Sequence, residues 1–257
     1  MATIVRGERR PFGLIKNDIS GLAHTRSQVG GEGVCRWKML MNGMHLEGQW
    51  NCVEFVVIEP GASVGEHVHM RTEEIYYIIS GRAVVTMDGE RIDARPGDLI
   101  TTPIGSSHSI ANHGDEDMEF FVTEVFPNTG PPATPATVHL PDLLAEQPVG
   151  RGVRLDLGPH FTGDWRRFQL LEVPVGKSLA DLGVDARDSA VLHVLDGDAV
   201  ITVDGEEFVG GKGLSLAVSP GRRTTVAAAR GGTSGTGDGG AAEAEALRLI
   251  VVEVEVR

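Results

Sequence analysis

The sequence predicts an all-β protein assembled from two tandem barrels. Two observations carry that reading: short strand-forming runs separated by turn residues, and a segment that recurs at a fixed distance along the chain. The runs "NCVEFVVIEPG", "EIYYIISG", "RAVVTMDGERI", "GDLITTP" and "EFFVTEVF" are rich in Val, Ile, Thr, Tyr and Phe. They are punctuated by Gly, Pro or Asp-Gly, as antiparallel hairpins are. Asp88-Gly89 suits a two-residue hairpin turn, and Pro96-Gly97 suits the central pair of a type II turn. No long helical period competes with them. Many short strands at this spacing form a sandwich or barrel, which leaves few edges exposed.

The recurrence sets the domain organisation. "GRAVVTMDGERI" at 81–92 returns as "GDAVITVDGEEF" at 197–208, an offset of 116 residues with seven identities in twelve positions. Between the copies lies "PNTGPPATPATVHLPDLLAEQPVG", whose prolines and small residues read as a linker with a short helix at "PDLLAEQ". The boundary falls near residue 140. Residues 1–140 are expected to form the first barrel with an N-terminal extension, and 141–257 the second. "ARGGTSGTGDGGAAEAEA" in the second copy is expected to be a mobile loop.

Bulk composition narrows the partners. With 36 acidic and 23 basic residues the chain carries a net charge of −13, which repels phosphate backbones and anionic lipid. Nucleic acid and membrane surfaces are therefore excluded as expected partners, and a small molecule is the expected ligand. Cys35 and Cys52 are too few for a disulfide framework. The first residues lack the apolar run of a signal peptide, and Arg9-Arg10 followed by "PFGLIKND" does not read as an export signal, so a cytoplasmic location is expected.

The chemistry concentrates in "PGASVGEHVHMRTEEIYYIISG", residues 60–81. Side chains two apart on a strand share a face, so His67 and His69 project together with Val68 on the other side. Past the bend at "MRTE", a hairpin return would bring the Glu74 carboxylate opposite the histidine pair. In "GDLITTPIGSSHSIAN", His108 could supply a fourth donor. Three imidazoles and one carboxylate would leave one or two positions open on a divalent ion that takes five or six ligands.

These two stretches resemble the cupin superfamily. Its first motif matches at Gly61, His67, His69, Glu74 and Gly81, and its second at Gly97, Pro103, Gly105, His108 and Asn112. The resemblance covers residues 50 to 126 and implies a bicupin: two cupin barrels, each a double-stranded β-helix or jelly roll. It also implies one divalent metal ion per chain on His67, His69, Glu74 and His108, and a homodimer. Among its members, metal-dependent dioxygenases favour Fe(II), with Zn, Ni or Mn as other ions. The expected activity is that of a non-haem iron oxidoreductase. A non-redox isomerase, cyclase or lyase is the alternative, as is a binding protein without turnover, since seed-storage and sugar-sensing cupins keep the fold without chemistry.

Other residues divide between function and packing. Glu74 has six residues before Gly81, as the family pattern requires, and shares the parity of Tyr76 and Ile78, so Glu73 is expected to face out. Tyr76 either lines the cavity or only packs. Glu54, inside the apolar run "VEFVVI", either points into the cavity as a general base or faces water. Cys52 reads as a buried structural thiol rather than a ligand, and His24, His45, His113, His139 and His160 as structural or surface residues. In the second copy, Gly183, Asp185, Ala190 and Thr224 stand at the offset positions of His67, His69, Glu74 and His108, and His193 has the wrong parity for a displaced ligand. The second barrel is therefore expected to be degenerate and supportive.

Overall fold

A computed structural model describes residues 15–147, 152–229 and 246–257. The loop expected within 229–246 and the Arg9-Arg10 segment fall outside the described residues, the first almost entirely. The strands are β1 (Ile15–Asn17), β2 (Ala23–Arg26), β3 (Val34–Asn42), β4 (Trp50–Ile58), β5 (Ser63–Val68), β6 (Glu73–Ser80), β7 (Ala83–Met87), β8 (Glu90–Ala94), β9 (Asp98–Thr102), β10 (Ser107–Asn112), β11 (Met118–Val125) and β12 (Ala136–His139). A short helix, α1 (Leu140–Ala145), follows where "PDLLAEQ" predicts one. The second set is β13 (Val153–Asp156), β14 (Trp165–Pro174), β15 (Ser178–Leu179), β16 (Asp188–Asp196), β17 (Ala199–Val203), β18 (Glu206–Gly210), β19 (Ser215–Val218), β20 (Thr224–Ala228) and β21 (Ala246–Glu255).

Each barrel is a large sheet facing a small one. The first pairs β12-β9-β6-β11-β4-β3-β2 with β5-β10-β7-β8, and the second pairs β1-β19-β16-β21-β14-β13 with β15-β20-β17-β18. The hairpin turns follow the repeat: Asp88 and Gly89 have φ of 49° and 84°, and Asp204 and Gly205 have 48° and 89°. Two successive positive φ values make the mirror-image turn whose twist matches that of its strands. The Pro96-Gly97 turn is closed by Asp98 N donating to Arg95 O at 3.0 Å.

Two topological expectations change. The N-terminal extension is divided between the barrels: β2 and β3 join the first large sheet, whereas β1 pairs with β19 of the second, Ile15 opposite Ala217. Nor do β5 and β6 form a hairpin. β5 pairs with β10, and β6 with β9 and β11 in the opposite sheet. Glu74 thus meets the histidines across the barrel rather than from a neighbouring strand.

The core has three parts: one inside each barrel and a third between them. In the third, Phe55, Tyr77 and Phe121 of the first large sheet pack with Phe168, Val191 and Ile250 of the second. Each such side chain contributes about 1.5–3 kcal/mol when fully buried. Both faces of the central strands of the large sheets are therefore buried, which is why β4, β6, β9, β11, β16, β19 and β21 read as near-continuous apolar runs rather than strict alternations.

Candidate metal centre

His67 on β5 and His108 on β10 are register partners in the small sheet, and His69 follows just beyond the end of β5. Its backbone is fixed on both sides: His69 N donates to Ser106 O at 2.9 Å, and Gly105 N donates to His69 O at 2.7 Å. Val68, between the two histidines, faces away and is exposed. From the opposite sheet Glu74 points inward, paired with Thr102 on β9 and Glu124 on β11.

The donor atoms converge. His108 Nε2 lies 3.0 Å from His69 Nε2, 3.2 Å from His67 Nε2 and 3.1 Å from Glu74 Oε2. Glu74 Oε2 is 3.3 Å from His69 Nε2. Adjacent vertices of an octahedron have these separations when the centre lies about 2.1–2.3 Å from each, near ordinary bond lengths to divalent ions.

The outer nitrogens explain why the inner ones face each other. His67 Nδ1 donates to Gly65 O at 2.9 Å and His69 Nδ1 to Thr72 O at 3.2 Å. A carbonyl only accepts, so both Nε2 atoms turn lone pairs toward the centre. His108 Nδ1 lies 3.1 Å from Thr102 Oγ1, a hydroxyl that can accept its proton in the same way. Glu74 Oε2 is buried and makes no hydrogen bond of acceptable geometry despite its two close nitrogens. Converging lone pairs beside an unpartnered carboxylate oxygen need a positive charge, and a divalent cation fits this donor set. Burial pushes the Glu74 carboxyl up, but the His108 and His69 imidazoles outweigh it and hold it at about 2. For His69, burial lowers the pKa, and Glu74 more than offsets it to leave the imidazole raised. Burial lowers that of His67.

A cupin domain family model matches residues 54–124, a span that contains all four groups. The oxalate-binding protein of Thermotoga maritima is 35% identical over 91 residues, which are 35% of this chain and 75% of that protein. The chain belongs to the cupin superfamily. Oxalate decarboxylase OxdC of Bacillus subtilis is 35% identical over 113 residues, 42% of this chain and 28% of that enzyme. Across both barrels, the Escherichia coli protein YlbA superposes with a TM-score of 0.72 at 14% identity, covering 96% of this chain and 93% of that one, a likeness of fold.

Around the cupin centre the barrel interior supplies further groups. The Tyr76 ring stacks on His108 with centroids 4.8 Å apart, and its hydroxyl is 3.4 Å from His108 Nε2. Burial, reinforced by the Glu74 charge, raises the Tyr76 phenol well above its ordinary value. Glu54 has the parity of Cys52 and Val56 on β4, whose neighbours belong to the barrel interior. Burial and then the charges of Glu124 and Glu74 push its carboxyl up to about 7. Cys52 is buried and its thiol is raised by burial, which suits a packing role.

Sequence reasoning passed over Glu124. It pairs with both Glu74 and Cys52, accepts from Asn51 Nδ2 at 2.6 Å, and is raised by burial and by Glu74. Its only signal was shared parity with Phe120 and Val122, obscured because β11 is apolar on both faces. Glu73 departs from its expected exposure. It points away from the centre, as parity requires, but it is fully buried against the second barrel instead of facing water. Of the other histidines, His45 Nδ1 accepts from Asn42 N and His139 pairs with Asp98, both structural contacts.

At the offset positions the second barrel carries no ligand set among the described residues. Ala190 pairs with Val218 and Glu253 as Glu74 pairs with Thr102 and Glu124, and Thr224 pairs with Val203 as His108 pairs with Met87. His193 lies on the face between the barrels, its ring 4.8 Å from that of Phe121.

Proposed function

We propose that His67, His69, Glu74 and His108 hold one divalent metal ion per chain, with Fe(II) the favoured ion and Zn, Ni or Mn the alternatives. On this reading the chain is a cupin enzyme of the non-haem iron dioxygenase type, acting on a small molecule. The observation that supports it is the meeting of three imidazole Nε2 atoms and one carboxylate oxygen, with the outer nitrogens already engaged. When bound, the ion supplies Lewis acidity and, as Fe(II), one-electron chemistry with O₂ and a chelating substrate.

The chain's own groups divide the remaining work. Tyr76 keeps its proton and offers its hydroxyl as a donor beside His108. Glu54, poised near neutrality, takes or returns a proton at its carboxylate. Val56, Ile78 and Ile100 exclude water from the interior beneath them. The unit near 1–140 holds the chemistry, and the unit near 141–257 supports it. A homodimer and a cytoplasmic location complete the reading, although the structure shows only that no described helix is long and apolar enough to cross a membrane.

Identity to the oxalate-binding protein favours a second reading. In this one the centre captures a small chelating carboxylate without redox chemistry, either as a binding protein or in an isomerase, cyclase or lyase. Elemental analysis of protein purified without added metal, joined to an O₂-consumption screen over small organic acids, separates the two. Substrate-dependent O₂ uptake restored by Fe(II) supports the oxygenase. Turnover indifferent to O₂, or tight binding without turnover, supports the second reading and overturns the first.

A further inference from the structure

We infer that Glu73 is a positioning residue through which the second barrel fixes the metal-site carboxylate of the first. The inference rests on the metal reading above. Glu73 and Glu74 are consecutive on β6 and point to opposite faces, Glu74 into the barrel and Glu73 into the interface. Every contact found for the Glu73 carboxylate comes from one segment of the second half of the chain. Thr162 N and Thr162 Oγ1 each donate to Oε1 at 2.8 Å, Gly163 N donates to Oε2 at 2.8 Å, and Trp165 Nε1 donates to Oε2 at 3.1 Å.

That segment is shaped to receive a carboxylate. A Cβ on Gly163 would lie 2.9 Å from Glu73 Oε2 and 2.8 Å from Phe126 O, so only glycine permits the approach. The Trp165 ring is held by stacking on Phe161, with centroids 4.5 Å apart. Three of the four donors are N–H groups that cannot accept, so an amide fits poorly: NH₂ in place of Oε2 would face the N–H groups of Gly163 and Trp165, and in place of Oε1 the N–H of Thr162.

The residues flanking this anchor are site residues. Thr72 O, one position before Glu73, orients the His69 imidazole, and Glu74 follows one position after. Anchoring the middle of Thr72-Glu73-Glu74 from behind fixes the carbonyl that sets one imidazole and the backbone that aims the carboxylate. A second barrel without metal ligands therefore still governs metal affinity, by holding three consecutive residues of the first.

The test uses the full chain loaded with Co(II), whose visible bands report coordination geometry, and titrated with Mn(II) for affinity. Glu73→Gln is expected to weaken Mn(II) binding 10- to 100-fold, the range for lost groups that orient metal ligands, and to alter the Co(II) bands. Trp165→Phe, which removes one donor but keeps the ring, is expected to weaken binding several-fold and covers the case in which Glu73→Gln fails to fold. Phe168→Leu loosens the same interface away from Glu73, and should lower Tm while leaving both metal readouts unchanged. If a folded Glu73→Gln or Trp165→Phe protein keeps wild-type affinity and bands, or if Phe168→Leu changes them equally, the inference is overturned and the metal reading stands. A wild-type chain that binds neither ion overturns both.

Discussion

The two barrels share a strand plan and differ in what they put inside it. Where the first barrel has Glu74, Tyr76, Ile78, Thr102 and His108, the register of the second places Ala190, Leu192, Val194, Val218 and Thr224. The second interior is an aliphatic core of Leu, Val, Ile and Ala. One carboxylate survives: Glu253 pairs with Ala190 as Glu124 pairs with Glu74. It is met by protein groups alone, Arg167 Nε at 3.1 Å, Arg167 Nη2 at 2.9 Å, and the amide of Gln169. In the first barrel the Glu74 carboxylate faces imidazole nitrogens with no cationic side chain beside it; in the second a guanidinium is built in. The comparison teaches that the fold rests on sheet pairing and aliphatic packing, while the metal centre depends on a few inward positions.

Separating the barrels should have the largest effect. A fragment of residues 1–147 would expose the face carrying Phe55, Tyr77 and Phe121, leave Glu73 without its four donors, and strip β1 of its partner. Full burial of one such side chain is worth about 1.5–3 kcal/mol, so uncovering even part of this face takes a large share of a domain's margin of about 5–15 kcal/mol. The fragment is expected to aggregate, as light scattering and size-exclusion chromatography would show. A soluble monomer with full metal affinity would mean that the second barrel is dispensable.

Matched substitutions at one offset come next. His108→Ala removes the imidazole that lies nearest three other donors, and is expected to lower metal affinity by more than 100-fold in calorimetric titration, whereas Thr224→Ala leaves it unchanged. Equal losses, or none in either variant, would end the division between a metal-holding and a supporting barrel.

The legible parts of this comparison were local ones. The histidine pair, Glu74 and His108 sit within short stretches whose parity can be read directly, and the Asp-Gly hairpins recur at a fixed offset. The parts that escaped depend on distant pairing. Nothing near Glu73 announces that its donors are Thr162, Gly163 and Trp165, and nothing near Ile15 announces Ala217. Glu124 escaped because a strand buried on both faces has no polar side to set its parity.

Acidification should weaken the shared face. His193 lies between Phe55 and Phe121, with Nδ1 2.8 Å from Ser215 Oγ, and burial lowers its pKa to about 3. The folded value lies below the unfolded value of about 6.5, so the unfolded chain takes up the proton first. The full contribution is present above that pH and is lost progressively as pH falls toward 3. The loss is about 2 kcal/mol at pH 5 and about 4 kcal/mol at pH 3. His193→Gln should flatten this part of the stability–pH curve in urea denaturation. A curve unchanged by the substitution would remove His193 as the sensor.

The smallest effect concerns what the barrels have in common. Gly89 and Gly205 occupy the same hairpin position with φ of 84° and 89°, and a Cβ on either would meet nothing within 4 Å. Replacing each by Ala therefore costs only the left-handed backbone penalty, about 1–2 kcal/mol, with no contribution from clash. The two costs should be similar because the backbone angles and open surroundings match, and they should add within about 0.5 kcal/mol because the sites share neither neighbours nor partners. Urea denaturation of Gly89→Ala, Gly205→Ala and the double variant at pH 7.5, where His193 is neutral, measures all three. Equal and additive losses would place the difference between the barrels in their interiors alone. A Gly205→Ala cost well below that of Gly89→Ala would show that the second barrel's hairpin unfolds separately from the shared core, so that the loss of its metal ligands went with a looser rim as well as a filled interior.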